Sequence, residues 1–185
     1  MGNSLYWSVY KNLEKEVLDL SQWVFIDDGQ LATYSVKTAD LLMRTSVEIE
    51  SISKALYFRY GGTKPDDNNL FFDSDCLKLL QEKFTIGSKV VFVSDVFQYC
   101  SKEENLTLHP LNNSWVRGKC DWKKAYQAIK HDRYSELKKA ILSIYCELLQ
   151  HSLCSICITL KGCTVWVMTQ KPQVWIREWG QTFFQ

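Results

Sequence analysis

DWKKAYQAIKHDRYSELKKAILSIYCELLQHSLCSICITL, residues 121–160, decides how the chain reads. Trp122, Ala125, Tyr126 and Ile129 recur at i, i+3, i+4 and i+7, the apolar face of a helix, while Lys123, Lys124, Gln127, Lys130 and His131 take its other sides. Asp121 stands where a cap belongs, which predicts a helix over 121–132. Ser135 stands likewise before Leu137, Ile141, Ile144, Leu148 and Leu149, predicting a second and longer helix over 135–160. Between them lies the polar junction Lys130-His131-Asp132-Arg133, where the chain is expected to bend.

Outward from that stretch the periodicity stays helical. Ser4 can cap a helix over 4–24 that carries Leu5, Val9, Leu13, Val17 and Leu20 at helical spacing, closed by the turn signal Asp27-Asp28-Gly29. Thr33 or Ser35 opens the longest helix, over 33–60, and Gly61-Gly62 stops it. In that helix Ala39, Leu42, Thr45, Ile49, Ile52 and Leu56 form the core stripe, with Lys37, Asp40, Arg44 and Ser51 on the opposite, wet side. Glu50 and Lys54, four apart at the stripe's edge, are spaced to pair. A polar loop follows over 63–69, then a short helix over 74–84 capped by Ser74 or Asp75. KVVFVS (89–94) and CTVWVMT (163–169) are short and β-branched, and they would make a two-stranded element if they pair. Residues 101–114 read as loop with a short extended piece near Leu106 to Leu108. The aromatic tail from 163 to 185 is expected to pack back on the body, with Pro172 barring a helix through it. The whole is one mainly α domain, 1–185, a helical bundle with a small β element.

Composition narrows the function classes. The chain has 46% apolar residues, enough for a sizeable core, and a net charge of +1, so no global field draws it to a nucleic acid or a membrane. The most apolar run, Leu153 to Met168, is interrupted by Lys161 and Gly162 and is too short to span a bilayer, so no membrane association is expected. The start MGNSLY resembles a myristoylation signal but has Tyr6 where the pattern needs Ser or Thr. Seven cysteines in no regular framework point to a reducing, cytoplasmic setting. Cys154-x-x-Cys157 lacks a second half and falls in a helix, so these thiols read as buried side chains. Glu48 and Glu50 point about 200° apart on their helix and cannot share a site. Gly-rich phosphate loops, GxSxG and HExxH are absent from the sequence. Neither a metal nor another cofactor is expected.

Charge is nonetheless concentrated. Residues 117–139 hold eight Lys or Arg against three Asp or Glu, a local excess of +5, leaving −4 for the rest. Interleaved with Trp122, Tyr126 and Tyr134, this basic stripe could hold a phosphate backbone and stack a base. Its plainer reading is a solvated helix face, because the aromatics lie largely on the core side. His131 falls opposite Trp122 and Ile129 on the wheel, so it faces outward with Lys130 and Arg133 close by. Two cations favour a neutral imidazole and attract an anion, a combination suited to taking the proton from an RNA 2′-hydroxyl while Lys130 or Arg133 steadies the phosphate. As a bland alternative, the junction is a polar corner in which Asp132 pairs with Arg133 or caps a helix.

Trp7 and Tyr10 ahead of LEKEVLDLSQWV (13–24), Thr33-Tyr34-Ser35, Ser46-Val47-Glu48-Ile49-Glu50 with Lys54, and Trp122-Lys-Lys-Ala125-Tyr126-Gln127-Ala-Ile129-Lys130-His131-Asp-Arg133 together resemble a family of bacterial HEPN-like helical proteins. The resemblance implies a helical bundle that dimerises and, for the wider superfamily, metal-independent RNA cleavage in toxin–antitoxin and phage-defence systems. The family has Asn where Gln127 stands and an acidic residue where Lys37 stands. The superfamily's nuclease signature places an Arg shortly before the His, and Lys124 holds that place here as a point charge without the Arg fork.

Taken together these features predict an RNA-directed protein, an endoribonuclease with His131, Lys130 and Arg133 as its catalytic cluster. Lys124, Gln127, Glu50, Lys54 and Tyr126 are expected to bind or orient, and RNA, a second copy and a partner protein encoded nearby are the expected partners. Two rivals share the same residues. In one, a non-catalytic interaction module, the junction and Glu50 form a buried polar network that fixes helix packing. In the other the basic pocket senses a nucleotide or small anion.

Overall fold

Helix α2, Val36–Arg59, is the longest helix among the described residues, and the helices over 3–21 and 121–131 and the turn over 72–77 pack on it. Its start is written locally: the Ser35 Oγ accepts from Thr38 N at 3.0 Å while the Thr38 Oγ1 accepts from Ser35 N at 2.8 Å, a reciprocal cap that selects Ser35 over Thr33. Its end is equally local. Gly61 has φ +94, open only to glycine without strain, and a Cβ on Gly62 would fall 2.2 Å from the Tyr57 ring. The computed structural model describes residues 3–67, 69–92, 101–102, 107–116, 119–144, 165–167, 177–178 and 181–182.

The described residues are mainly helical. Helix α1, Asn3–Ser21, lies along α2 with Tyr10, Leu13 and Val17 buried between them. It stops short of the expected 24, and Asp27 then turns the chain by accepting from Gly29 N and Gln30 N at 3.0 and 2.9 Å. The α2 stripe is buried as its spacing requires, with Ala39, Leu42, Thr45, Ile49, Ile52 and Leu56 no more than 1% exposed. Lys37 and Arg44 are exposed as expected, and both hold Glu16 of α1. These two cations, Lys37 first, keep the Glu16 carboxyl below its ordinary range.

Over 74–84 the expected cap is corrected. The helix opens as a π turn, Phe72–Leu77, and continues as α3, Lys78–Phe84. Neither Ser74 nor Asp75 stands at its head; the Asp75 carboxylate reaches back to accept from Phe71 N at 2.8 Å. Helix α4, Asp121–His131, begins one residue early, with Cys120 in the cap position and no side-chain cap, because the Asp121 carboxylate turns to Lys124 at 2.8 Å. Its face is as expected: Trp122, Ala125, Tyr126 and Ile129 are buried, and Trp122 meets Phe72 with ring centroids 5.8 Å apart.

The expected helix over 135–160 is interrupted. Asp132, not Ser135, is the cap, accepting from Ser135 N at 3.1 Å. The helix behind it, α5 (Arg133–Glu136), tightens into a 3-10 turn, Leu137–Lys139, and ends at Ala140. Ile141 then bridges Tyr34, and Leu142 N and Ser143 N donate to Thr33 O and Leu31 O at 2.9 and 3.0 Å. These amide hydrogens would serve the preceding carbonyls in a continuous helix; the loop before α2 takes them instead. Leu142 is buried there with Leu20 and Ile26. Residues 142–144 return to helical geometry, and the remainder of the expected helix, with Cys154 and Cys157, lies outside the described residues.

Strand β1, Val90–Phe92, pairs antiparallel with β2, Thr107–Leu108, and parallel with β3, Val165–Val167. The two β-branched segments thus pair, and the extended piece near Leu108 adds a third strand. Strands β4, Arg177–Glu178, and β5, Gln181–Thr182, form a small antiparallel pair. Among the described residues no helix is long and apolar enough to cross a membrane.

Candidate nucleic-acid interface

The apolar face of α4 is spent on α2 and the π turn, so its polar residues are sorted by what lies beside them. Lys123 points inward from the edge of that face. Its ammonium is bonded to the Asp73 carboxylate and lies 4.4 Å from the centroid of the Phe72 ring. Asp73 is 2% exposed, which makes this the most buried ion pair among the described residues. Lys124 is exposed and tied to Asp121. Gln127 is half-buried, and Tyr126, 4% exposed, packs into the core with the Lys130 ammonium 5.7 Å from its ring centroid. The Tyr126 ring therefore offers no face to a base.

Glu50 of α2 sits half-buried opposite α4. Burial lifts its carboxyl above the ordinary glutamate range, against the opposing pull of Lys123, Lys130 and Lys54. It does not pair with Lys54 as the four-residue spacing suggested: the Lys54 ammonium is 2.7 Å from Asp66, in the loop after α2. Loop and helix are drawn together by that bond, which raises the Lys54 pKa. Ser46 and Ser53, both 0% exposed, lie one turn either side of Glu50 on the same face, their hydroxyls without a hydrogen-bond partner among the described residues.

The junction opens outward. Lys130, His131, Asp132 and Arg133 are all exposed, so they do not form the buried network that the interaction-module rival required. Asp132 serves as the cap of α5, and the bonds from Ser135 hold its carboxyl below the usual range. Arg133 reaches Asp40 of α2 at 2.7 Å, fixing the corner to the exposed side of the long helix. Lys139 pairs with Glu136 at 2.6 Å. Lys130 and Lys138 are exposed and have no ion pair among the described residues. Beside them Tyr134 is 97% exposed.

Lys130, His131, Tyr134 and Lys138 thus all stand exposed along residues 130–138, where α4 turns into α5. That set can bind a phosphodiester, take a proton and stack on a base; Lys130 in the last turn also complements the helix dipole. Sequence spacing located His131 and Lys130 but not Asp73, Asp40 or the bareness of Tyr134. Asp73 sits in FFDSDC with no local pattern to mark it, and its partner is fifty residues away. Among the described residues no group of three or more His, Cys, Asp or Glu side chains is placed to hold a metal ion. No family model, curated protein or solved structure matches this chain.

Proposed function

We propose that this chain is an RNA-directed protein whose α4–α5 corner holds the phosphate backbone, and that His131 makes it a metal-independent endoribonuclease. The observation that carries it is the exposure of Lys130, His131, Tyr134 and Lys138, with neither lysine in a salt bridge among the described residues. In the cleavage step the His131 imidazole takes the 2′-hydroxyl proton and O2′ attacks the adjacent phosphorus. The bond from phosphorus to O5′ breaks, and the imidazolium returns the proton to the leaving oxygen through water. The products are a 2′,3′-cyclic phosphate and a 5′-hydroxyl. Lys130 steadies the charge on the non-bridging oxygens. Arg133, held on Asp40, adds its charge beside them.

The resemblance to HEPN-like proteins supports the same reading and sets it in bacterial defence or toxin–antitoxin biology, with a second copy and a nearby-encoded protein as partners. The experiment is incubation of the purified chain with structured and single-stranded RNA, followed by end-group analysis of the products and a thermal melt. His131→Ala is expected to lower cleavage by roughly 100-fold or more with an unchanged melt. Uncut RNA with the wild-type chain, or equal cleavage by wild type and His131→Ala, overturns the nuclease. A large fall in melting temperature in His131→Ala would show that the imidazole supports the fold, against its placement as a free base at an exposed corner.

A further inference from the structure

We infer that the RNA taken at this corner is unpaired, and that Tyr134 is the platform on which one of its bases stacks. This rests on the RNA reading above and adds the substrate class. Of the three aromatics in the basic stretch, Trp122 and Tyr126 are 1% and 4% exposed and spent on the core, whereas Tyr134 is 97% exposed. Its backbone is held from both sides. The Asp132 carboxylate accepts from Ser135 N at 3.1 Å, and Arg133, the preceding residue, is anchored on Asp40 at 2.7 Å. The held backbone spares that turn further ordering when the ring stacks, and the exposed cations Lys130 and Lys138, on either side of it in sequence, can take the flanking phosphates.

Geometry then selects the strand. In a duplex both faces of every internal base are already stacked, and A-form RNA shows side chains only its backbone and shallow-groove edges. A ring can stack only on a base that has left the helix. Stacking of this kind tolerates any base, so the corner would select for unpaired RNA with little preference for sequence.

The test is fluorescence anisotropy with a labelled oligouridylate of about 12 nucleotides and an RNA duplex of similar length. The wild type is expected to bind the oligouridylate more tightly. Tyr134→Ala is expected to weaken that complex about tenfold and leave the duplex unchanged, while Tyr134→Trp retains it. Lys130→Ala should weaken both probes alike. If both probes bind and Tyr134→Ala changes neither, or if the duplex binds better, stacking is overturned while the RNA reading stands. If neither probe binds, both fall.

Discussion

At the scale of single residues, the same side-chain type does opposite work according to what the fold sets beside it. Lys123 and Lys130 are two turns apart on one helix. The first is sealed against Asp73 and the Phe72 ring, the second is exposed. Asp73 is 2% exposed, so losing its charge would strand a partly buried ammonium that the π turn and α4 both need. Asp73→Asn is expected to cost roughly 3 kcal/mol of stability, read from chemical denaturation, whereas Lys130→Ala should cost almost none. A small effect at Asp73 would mean that water, not burial, surrounds the pair. Cys76, likewise 0% exposed, has its thiol pushed up to about 12 by burial, so it is an inert core side chain and not a nucleophile.

Between elements, the α2–α4 contact carries a titrating group. Burial raises the Glu50 carboxyl in the folded chain, so folding favours its neutral form. Below the ordinary glutamate pKa the group is neutral whether folded or unfolded and no penalty arises. As pH rises past that value the unfolded chain ionises first, and the penalty is complete above the folded pKa. Glu50→Gln should therefore melt higher than wild type at neutral pH, with the difference vanishing in mild acid. An equal or lower melting temperature at neutral pH would show that Lys123, Lys130 and Lys54 outweigh desolvation. The extent of each element was legible where its signals were local. Thr33 or Ser35 and the two glycines at 61 and 62 mark α2 at both ends, with the Thr38 side chain deciding for Ser35, and the α4 stripe is all buried. The expected helix over 135–160 was not legible as broken, because its break at Ala140 is made by Leu31 and Thr33, over a hundred residues earlier in the chain. The site divides in the same way. A helical wheel suffices to turn His131 outward, but it cannot assign Arg133 to Asp40 or Lys54 to Asp66, which are tertiary pairings.

For the molecule as a whole, a net charge of +1 conceals how its cations are distributed. Part of the basic excess in residues 117–139 is met by two acids that the fold brings from outside the stretch, Asp73 from the π turn and Asp40 from α2. What survives at the corner is Lys130 and Lys138 flanking an exposed tyrosine. If these lysines hold an RNA backbone, binding releases counterions in proportion to the phosphates they neutralise. Titration of single-stranded RNA over a range of salt concentrations, with wild type and the Lys130→Ala/Lys138→Ala double variant, reads that number directly. The wild-type affinity should fall steeply with salt, and the double variant should bind more weakly with a slope shallower by about 1.4, roughly 0.7 for each lysine. Identical affinity and identical slope in the two proteins would contradict the placement of RNA at this corner.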